Sequence, residues 1–259
     1  MPRRPSRGHN PATMATFRFY AELNDFLAPA RRGVAFEHAT SPHESLKHAV
    51  ESLGVPHTEV ALVLLNGEPT PLERRSVAAG DRIAVYPQWH LAGVCGSADE
   101  VDEPRFICDA HLGRLARYLR FAGYDTLYRN AWQDVELVAL ARAETRIVLT
   151  RDRDLLMHRD VVHGCYLRAV EPLQQLQELQ RRLGLSAHEA GTGSRCLLCN
   201  AVLETIDKAA VAGRVPPRTF AHFEQYWRCP CCERVYWRGS HWERMSAARP
   251  PEGARSGVR

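Results

Sequence analysis

Apolar and polar positions along the first third of the chain follow the spacing of strands. Apolar residues alternate with polar ones in ATFRFY (15–20), and they fill most of VALVLLNGEP (60–69) and GDRIAVYP (80–87). A further short strand is expected at Val34–Glu37. These patterns predict four strands in this segment.

One helix is predicted between the second and third of these strands. Ser41 and Pro42, followed by the acidic Glu44, suit the first turn of a helix, where unpaired amides need acceptors. Gly54 can end that helix. The resulting order of strand, strand, helix, strand, strand is that of an α+β β-grasp domain, which we assign to residues 14–90.

Strand and helix patterns alternate in the middle of the chain. The predicted strands are RFIC (105–108), DTLY (125–128), RIVLT (146–150) and one within GCYLRAV (164–170). The predicted helices have apolar residues at three- and four-residue spacing and span about residues 111–123, 134–144 and 172–184. This alternation predicts an α/β domain with a Rossmann-like parallel sheet and helices on both faces, over residues 105–185.

Acidic residues follow two of these strands. Asp109 comes after RFIC, and Asp152 and Asp154 come after RIVLT. Because ligands bind beyond the carboxyl ends of the strands in an open parallel sheet, these carboxylates can converge there, and Asp134 or Glu136 can add a fourth. Crowded carboxylates require a cation, and Mg²⁺ or Mn²⁺ held by oxygen ligands can hydrolyse phosphodiesters. Instead, Asp109, Asp134 and Asp154 can each cap a helix, and Glu136 can favour a helix N-terminus. Asp152 can pair with a neighbouring arginine.

Arginines lie around these acids along the chain. Arg114 and Arg117 lie close to one face of the first helix of this segment, and Arg151 and Arg153 alternate with the acids. They can contact the phosphates of RNA, or they can form salt bridges that hold the acids apart. Residues 195–259 also carry 11 Lys and Arg against 6 Asp and Glu, which favours a polyanionic partner.

Five of the eight cysteines lie after position 195, within two CxxC pairs. Cys196 and Cys199 form the first pair, Cys229 and Cys232 form the second, and Cys231 is left as a spare thiol. Four thiolates complete the tetrahedral shell of a structural Zn²⁺, so the spacing predicts a zinc ribbon. The aromatic residues around these pairs can form the small core of the ribbon. Alternatively, they can stack on the bases of RNA while the neighbouring arginines contact its phosphates.

The sequence also bears on the compartment. It has no run of about 18 apolar residues and no apolar stretch behind its basic start, MPRRPSRGHN. We therefore expect no membrane span, no secretory signal and a cytoplasmic location. Cysteines in the cytoplasm bind metals more often than they form disulfides.

The middle and end of the chain resemble the PIN-domain ribonucleases, and more narrowly the family named after the Mut-seven C-terminal RNase domain (Mut7-C). The matching stretches are FICDAHLGRLARYLRFAGYDTLY (106–128), LTRDRDLL (149–156) and VYWRGSHWERM (235–245). The resemblance spans about residues 105–245. It implies a Mg²⁺- or Mn²⁺-dependent nuclease with three or four catalytic acids, preceded in that family by a β-grasp domain.

The resemblance also implies roles for particular residues. Asp109, Asp152 and Asp154 match three catalytic acids, and Asp134 matches the fourth, with Glu136 as its substitute. Thr150 matches the small hydroxyl residue that precedes the third acid in PIN domains. There it would orient a water or a metal ligand, although a β-branched residue is also ordinary at the end of a strand.

The first segment resembles the ubiquitin-like sulfur carriers of thiamine and molybdopterin synthesis. The resemblance covers LNGEP (65–69) and GDRIAVYP (80–87). Those carriers end in a free Gly-Gly tail, whereas here the last strand continues into Pro87–His90 and only Gly93 follows nearby. We therefore expect a binding or packing role for this segment, with the ribosome or another protein as partner, rather than sulfur transfer.

The sequence therefore predicts a cytoplasmic ribonuclease with a carboxylate-bound Mg²⁺ or Mn²⁺ and a zinc ribbon that supports the fold and binds RNA. The alternative is a factor that binds RNA or the ribosome without cleaving it. The predicted order is a disordered start (1–13), a β-grasp domain (14–90), a linker (91–104), a PIN-like α/β domain (105–185), a zinc ribbon (195–245) and a disordered tail (246–259).

Overall fold

The computed structural model describes residues 13–41, 44–73, 76–87, 104–185 and 194–246. The predicted start, linker and tail lie outside these residues, apart from residues 13, 104 and 246 at their boundaries. The described residues group into two compact units. The first unit contains the described residues up to position 97 together with Asp152–Arg159. The second unit contains the described residues of 98–151 together with those from Asp160 onward.

A mixed five-stranded sheet forms the first unit. Its strands are β1 (Thr13–Phe19), β2 (Phe36–Thr40), β3 (Val60–Leu65), β4 (Glu68–Pro69) and β5 (Arg82–Pro87). They lie in the order β2-β1-β5-β3-β4, and only the central pair, β1 with β5, is parallel. The first and the last strand of this segment thus lie side by side in the interior of the sheet. The β-grasp fold predicted for this segment is confirmed.

Apolar and polar residues alternate along the strands of this sheet, and the apolar side chains form its core. Phe17 and Phe19 of β1 are buried and their rings stack with centroids 6.3 Å apart. Helix α1 (Leu46–Ser52) adds the buried Leu46, Ala49 and Val50 at helical spacing. The sheet and helix α1 therefore each contribute apolar side chains to the core of this unit.

The predicted start of α1 at Ser41 is wrong. The backbone amide of Ser41 donates to the Glu44 carboxylate, and the Glu44 amide donates to the Ser41 carbonyl, so these residues close a separate turn. Helix α1 begins after Ser45 instead, whose hydroxyl accepts from the amide of His48. Pro42 lies outside the described residues.

A four-stranded parallel sheet forms the centre of the second unit. Its strands are β6 (Phe106–Cys108), β7 (Thr126–Tyr128), β8 (Ile147–Thr150) and β9 (Gly164–Tyr166), in the order β7-β6-β8-β9. The helices along this stretch of chain are α2 (Gly113–Phe121), α3 (Asp134–Ala143), α4 (Arg153–Met157, which groups with the first unit) and α5 (Pro172–Leu183). The predicted α/β fold is confirmed.

Strand β9 lies within the predicted segment GCYLRAV (164–170) and ends at Tyr166. The amides of Arg168 and Ala169 donate to the Glu178 carboxylate of α5, with N···O distances of 3.0–3.2 Å. Because these amides bond to a side chain, they do not continue the ladder with β8. The prediction of a strand within GCYLRAV is confirmed, and that strand covers Gly164–Tyr166.

A small antiparallel sheet follows in the same unit. It consists of β10 (Glu204–Ile206), β11 (Tyr226–Arg228) and β12 (Val235–Trp237), and the neighbouring helices are α6 (Pro217–His222) and α7 (Ser240–Ser246). Tyr226, Trp227 and Trp242 are buried, and the rings of Trp227 and Trp242 stack 5.4 Å apart. Three large aromatic side chains thus supply much of its buried surface.

None of the helices in the described part of the chain is both long enough and apolar enough to cross a membrane.

Candidate functional site

The two CxxC segments form tight turns of similar geometry. In each turn the residue after the second cysteine has a left-handed backbone: φ is +71° at Asn200 and +59° at Glu233. The amide of each of these residues donates to the carbonyl of the first cysteine of its pair, Cys196 or Cys229, at 3.0 Å. Each turn therefore presents its two thiols on a short, hydrogen-bonded loop.

The four cysteines of these turns lie together. The sulfur atoms of Cys196 and Cys232 are 3.5 Å apart, those of Cys199 and Cys229 are 3.3 Å apart, and all four lie within 4.8 Å of one another. A tetrahedral ion with metal–sulfur bonds of about 2.3 Å holds its sulfurs about 3.8 Å apart. The cluster therefore fits a metal ion, and the exposed Cys231 lies outside it.

Polar groups near the cluster favour an ionised thiolate at Cys196. Burial opposes the charge, but hydrogen bonds from the Tyr236 hydroxyl and from the amides of Cys199 and Leu198 lower the pKa of Cys196 to about 6. The Tyr236 oxygen lies 3.1 Å from that sulfur and accepts from the amide of Leu197. Burial and the neighbouring thiols raise the pKa of Cys199. Since metals bind thiolates, Tyr236 is suited to orient one of the ligands.

Asp109 occupies the predicted position at the carboxyl end of β6. One oxygen of its carboxylate accepts from the Thr150 hydroxyl at 2.8 Å, and the other accepts from the amide of Ala110. The Asp109 amide in turn donates to the Leu149 carbonyl of β8. Asp109 and Thr150, predicted separately from the sequence, are thus brought together where two neighbouring strands end.

Asp152 and Asp154 lie together at the start of α4. Asp152 is the N-cap residue, and its carboxylate accepts from the amide of Asp154 at 2.8 Å. Both side chains are exposed. Asp152 therefore caps α4, a role that the sequence did not assign to it.

The two candidates for a fourth acid differ in their contacts. Glu136 completes a capping box at the start of α3, where its carboxylate accepts from the amide of Gln133 at 3.0 Å. Asp134 is exposed two residues earlier in the same turn, where Gln133 rather than Asp134 is the N-cap residue. Among the described residues, no three Asp, Glu or His side chains come as close together as the four cysteine sulfurs. Carboxylate oxygens remain the ligands that Mg²⁺ prefers.

The four arginines predicted to bind RNA are all exposed: Arg114, Arg117, Arg151 and Arg153. None of them forms an ion pair with an acidic residue in the part of the chain that the structure describes. The salt bridges considered as an alternative role for them are therefore not observed.

Sequence reasoning did not single out Arg120, which is buried on α2 at 4% exposure. Its guanidinium donates to the carbonyls of Leu197 and Leu198, in the turn between the first two cysteines. Arg120 lies four residues after the buried Ala116, so it falls on the apolar face of the helix. A charged residue at such a position was the available signal, because it requires a buried polar partner.

Two family models match the chain. Residues 104–248 match the Mut7-C RNAse domain, and residues 12–92 match the Mut7-C ubiquitin domain. No curated protein and no solved structure matches the chain significantly. The first match covers more than half of the chain and includes both the parallel sheet and the cysteine cluster. The chain therefore belongs to the Mut7-C RNAse domain family, with the family's ubiquitin-like domain in front.

Proposed function

We propose that this protein is a cytoplasmic ribonuclease that hydrolyses RNA phosphodiester bonds with the help of Mg²⁺ or Mn²⁺. Membership of the Mut7-C RNAse domain family supports a nuclease. The observation that carries the proposal further is the Asp109 carboxylate at the end of β6, held by the hydroxyl of Thr150 at the end of β8. In open parallel α/β sheets, substrates bind beyond the carboxyl ends of the strands, where both of these residues lie.

The acids have distinct roles in this proposal. Asp109, Asp152 and Asp154 would hold the metal ion, and a bound ion would supply positive charge for the phosphoryl transition state. Thr150 would fix the orientation of the Asp109 carboxylate through its hydrogen bond. Asp134 is the better candidate for a fourth acid, because the Glu136 carboxylate is already engaged in the capping box.

Positive side chains would bring the RNA to these acids. Arg114, Arg117, Arg151 and Arg153 are exposed, and arginine binds phosphate through several donors at once. Such contacts orient the phosphodiester without selecting a sequence. The RNA target is therefore not specified by these residues.

The cysteine cluster would hold Zn²⁺ in a structural role. All four ligand positions are filled by protein sulfur, which leaves none for water or substrate. The surrounding ribbon would add RNA contacts through its arginines, since three of its large aromatic side chains, Tyr226, Trp227 and Trp242, are buried. The ubiquitin-like unit would contact the ribosome or another protein.

The nuclease is tested with the purified full chain on a panel of structured and single-stranded RNAs. Cleavage is measured without divalent ions, and then after Mg²⁺, Mn²⁺ or Zn²⁺ is restored separately. We expect Mg²⁺ or Mn²⁺ to restore cleavage and Zn²⁺ alone not to. The Asp152→Asn variant should lose at least about a hundredfold in rate, since loss of a charged metal ligand weakens metal binding or activity by about that factor or more.

The matched control is Glu171→Gln, which also removes one exposed carboxylate from this part of the chain and whose side chain makes no capping hydrogen bond. It should retain activity. Equal cleavage by the wild type and Asp152→Asn would attribute the activity to a contaminant and refute the proposal. RNA binding that persists without divalent ions, with no cleavage by the wild type, would instead favour a non-cleaving RNA- or ribosome-binding factor.

A further inference from the structure

The first cysteine turn covers the open edge of the parallel sheet. Strand β7 is the edge strand, and both backbone groups of its first residue, Thr126, bond outside the sheet ladder. The Thr126 amide donates to the side-chain oxygen of Asn200 at 3.1 Å, and the Thr126 carbonyl accepts from Nε of Arg120 at 2.8 Å. Unpaired groups on an edge strand otherwise face solvent or another chain.

Arg120 connects this edge strand to the cysteine turn. While its Nε binds Thr126, its Nη1 donates to the carbonyls of Leu197 and Leu198 at 3.0 and 2.9 Å. Asn200, the residue after Cys199, makes the second connection, since its side-chain nitrogen, Nδ2, donates to the Asp125 carboxylate at 2.7 Å. The same turn that presents two thiols therefore also supplies the acceptor for the Thr126 amide of β7.

The buried charge of Arg120 has no carboxylate partner within the described ranges. Its hydrogen bonds there all run to backbone carbonyls, and it forms no ion pair. Burial lowers the pKa of Arg120, while the thiols of Cys108, Cys196 and Cys199 act in the opposite direction. A buried cation without an anion is costly, and the cost falls when a negative group lies nearby.

A divalent ion bound by four thiolates supplies that negative group, because the complex carries a net double negative charge. We propose that Arg120 is the counter-charge of the metal–thiolate centre and that metal binding thereby completes the β7 edge of the nuclease sheet. The proposal rests on the zinc site proposed above but not on the nuclease activity. Arg120 acts here as a positioning residue that couples the two structures.

Two measurements on the full chain, made without RNA, test this coupling. The Kd for Zn²⁺ is measured by competition with a chromophoric chelator, and amide exchange is measured for β7 with and without Zn²⁺. Exchange in β9 at the opposite edge of the sheet is the internal reference. We expect the Thr126 amide to exchange faster when Zn²⁺ is removed, and β9 to change less.

Variants separate the charge of Arg120 from its packing. Arg120→Met should weaken Zn²⁺ binding roughly tenfold to a hundredfold, as loss of an outer partner of a metal site typically does, and Arg120→Lys should recover part of that loss. The exposed Arg181→Met, which removes an arginine from α5, should bind Zn²⁺ as the wild type does. Asn200→Ala should speed exchange at Thr126 even with Zn²⁺ bound, because the acceptor of that amide is gone.

The outcomes distinguish this inference from the nuclease proposal. Unchanged Zn²⁺ affinity in Arg120→Met would overturn the counter-charge, and equal exchange at Thr126 with and without Zn²⁺ would overturn the coupling. If Arg120→Met does not fold, the wild-type exchange and Asn200→Ala still decide the coupling. A chain that binds no Zn²⁺ at all would overturn both the zinc site and this inference, whatever its activity on RNA.

Discussion

The ubiquitin-like sheet and the zinc ribbon are both small β structures, yet different interactions stabilise them. In the first, aromatic residues of the neighbouring strands β1 and β2 pack against one another, and the ring centroids of Phe17 and Phe36 lie 6.5 Å apart. In the ribbon, one buried cluster consists of Cys196, Leu203, Trp227 and Cys229, so two of its four members are metal-ligand candidates.

This difference shows which interaction offsets the loss of conformational entropy when each region folds. The ubiquitin-like sheet has enough alternating apolar residues to bury a continuous core, and burial of apolar area is its main stabilising contribution. A segment with few aliphatic residues cannot reach that area, and the metal ion proposed for the cysteine cluster would supply the missing free energy. A change to a metal ligand should therefore destabilise the ribbon and spare the ubiquitin-like sheet. A change to a core residue of that sheet should do the reverse.

The largest effect is expected for Cys229→Ser, which removes a buried ligand of the cluster. Structural Zn²⁺ contributes roughly 10–16 kcal/mol to the folding of zinc-finger peptides at neutral pH, so the ribbon should lose its order. Zinc content should fall to background, and amides of β11 should lose protection from exchange while those of β1 keep it. Protected β11 amides in this variant would contradict the comparison.

The matched control is Cys231→Ser. Cys231 belongs to the same turn as Cys229 but is exposed and lies outside the cluster. Its replacement should leave zinc content and exchange unchanged. A loss of zinc in this variant would mean that Cys231, rather than Cys232, completes the metal shell.

The reverse effect is expected for Phe17→Ala. Phe17 is fully buried in the ubiquitin-like sheet, and removing such a ring costs about 3–5 kcal/mol through lost burial and the cavity left behind. Denaturant titration, followed by exchange of β1 amides, should show that loss in the first unit with no change in zinc content. Met14→Ala on the same strand is the control, since Met14 is 44% exposed and should cost far less.

The smallest effect is expected at the start of α1. Ser45→Ala removes the hydroxyl that accepts from the His48 amide and should lower the free energy of unfolding of the first unit by about 1 kcal/mol. Ser45→Asp restores an acceptor and should recover most of the loss in the same titration. An unchanged stability in Ser45→Ala would mean that solvent satisfies the His48 amide equally well.

Local patterns predicted most of the fold because periodicity and spacing are local properties. The strands that end at Asp109 and Thr150, and the two cysteine pairs, follow directly from residues close together in the chain. The Ser41 prediction failed for a physical reason: the Glu44 carboxylate accepts from the Ser41 amide as in a capping box, but the Glu44 amide donates to the Ser41 carbonyl rather than to its hydroxyl.

Contacts between distant residues were beyond these local patterns. Strand β2 begins at Phe36 rather than Val34, because Phe36 pairs with Phe17 of β1, and Val34 is exposed. Arg120 is bonded to Leu197 from 77 positions away, so nothing near either residue in the sequence indicates the contact. The catalytic assignment of the acids stays a prediction, since it rests on strand ends and on the family.

The left-handed backbone at Asn200 restricts which residues this position can hold. Glycine adopts that conformation most readily but has no side-chain amide, and aspartate has acceptors but no donor. Asparagine tolerates the conformation and provides both the acceptor for Thr126 and the donor for Asp125. A design that copied only the four cysteines, without Asn200, would therefore leave the Thr126 amide at the edge of the sheet without its acceptor.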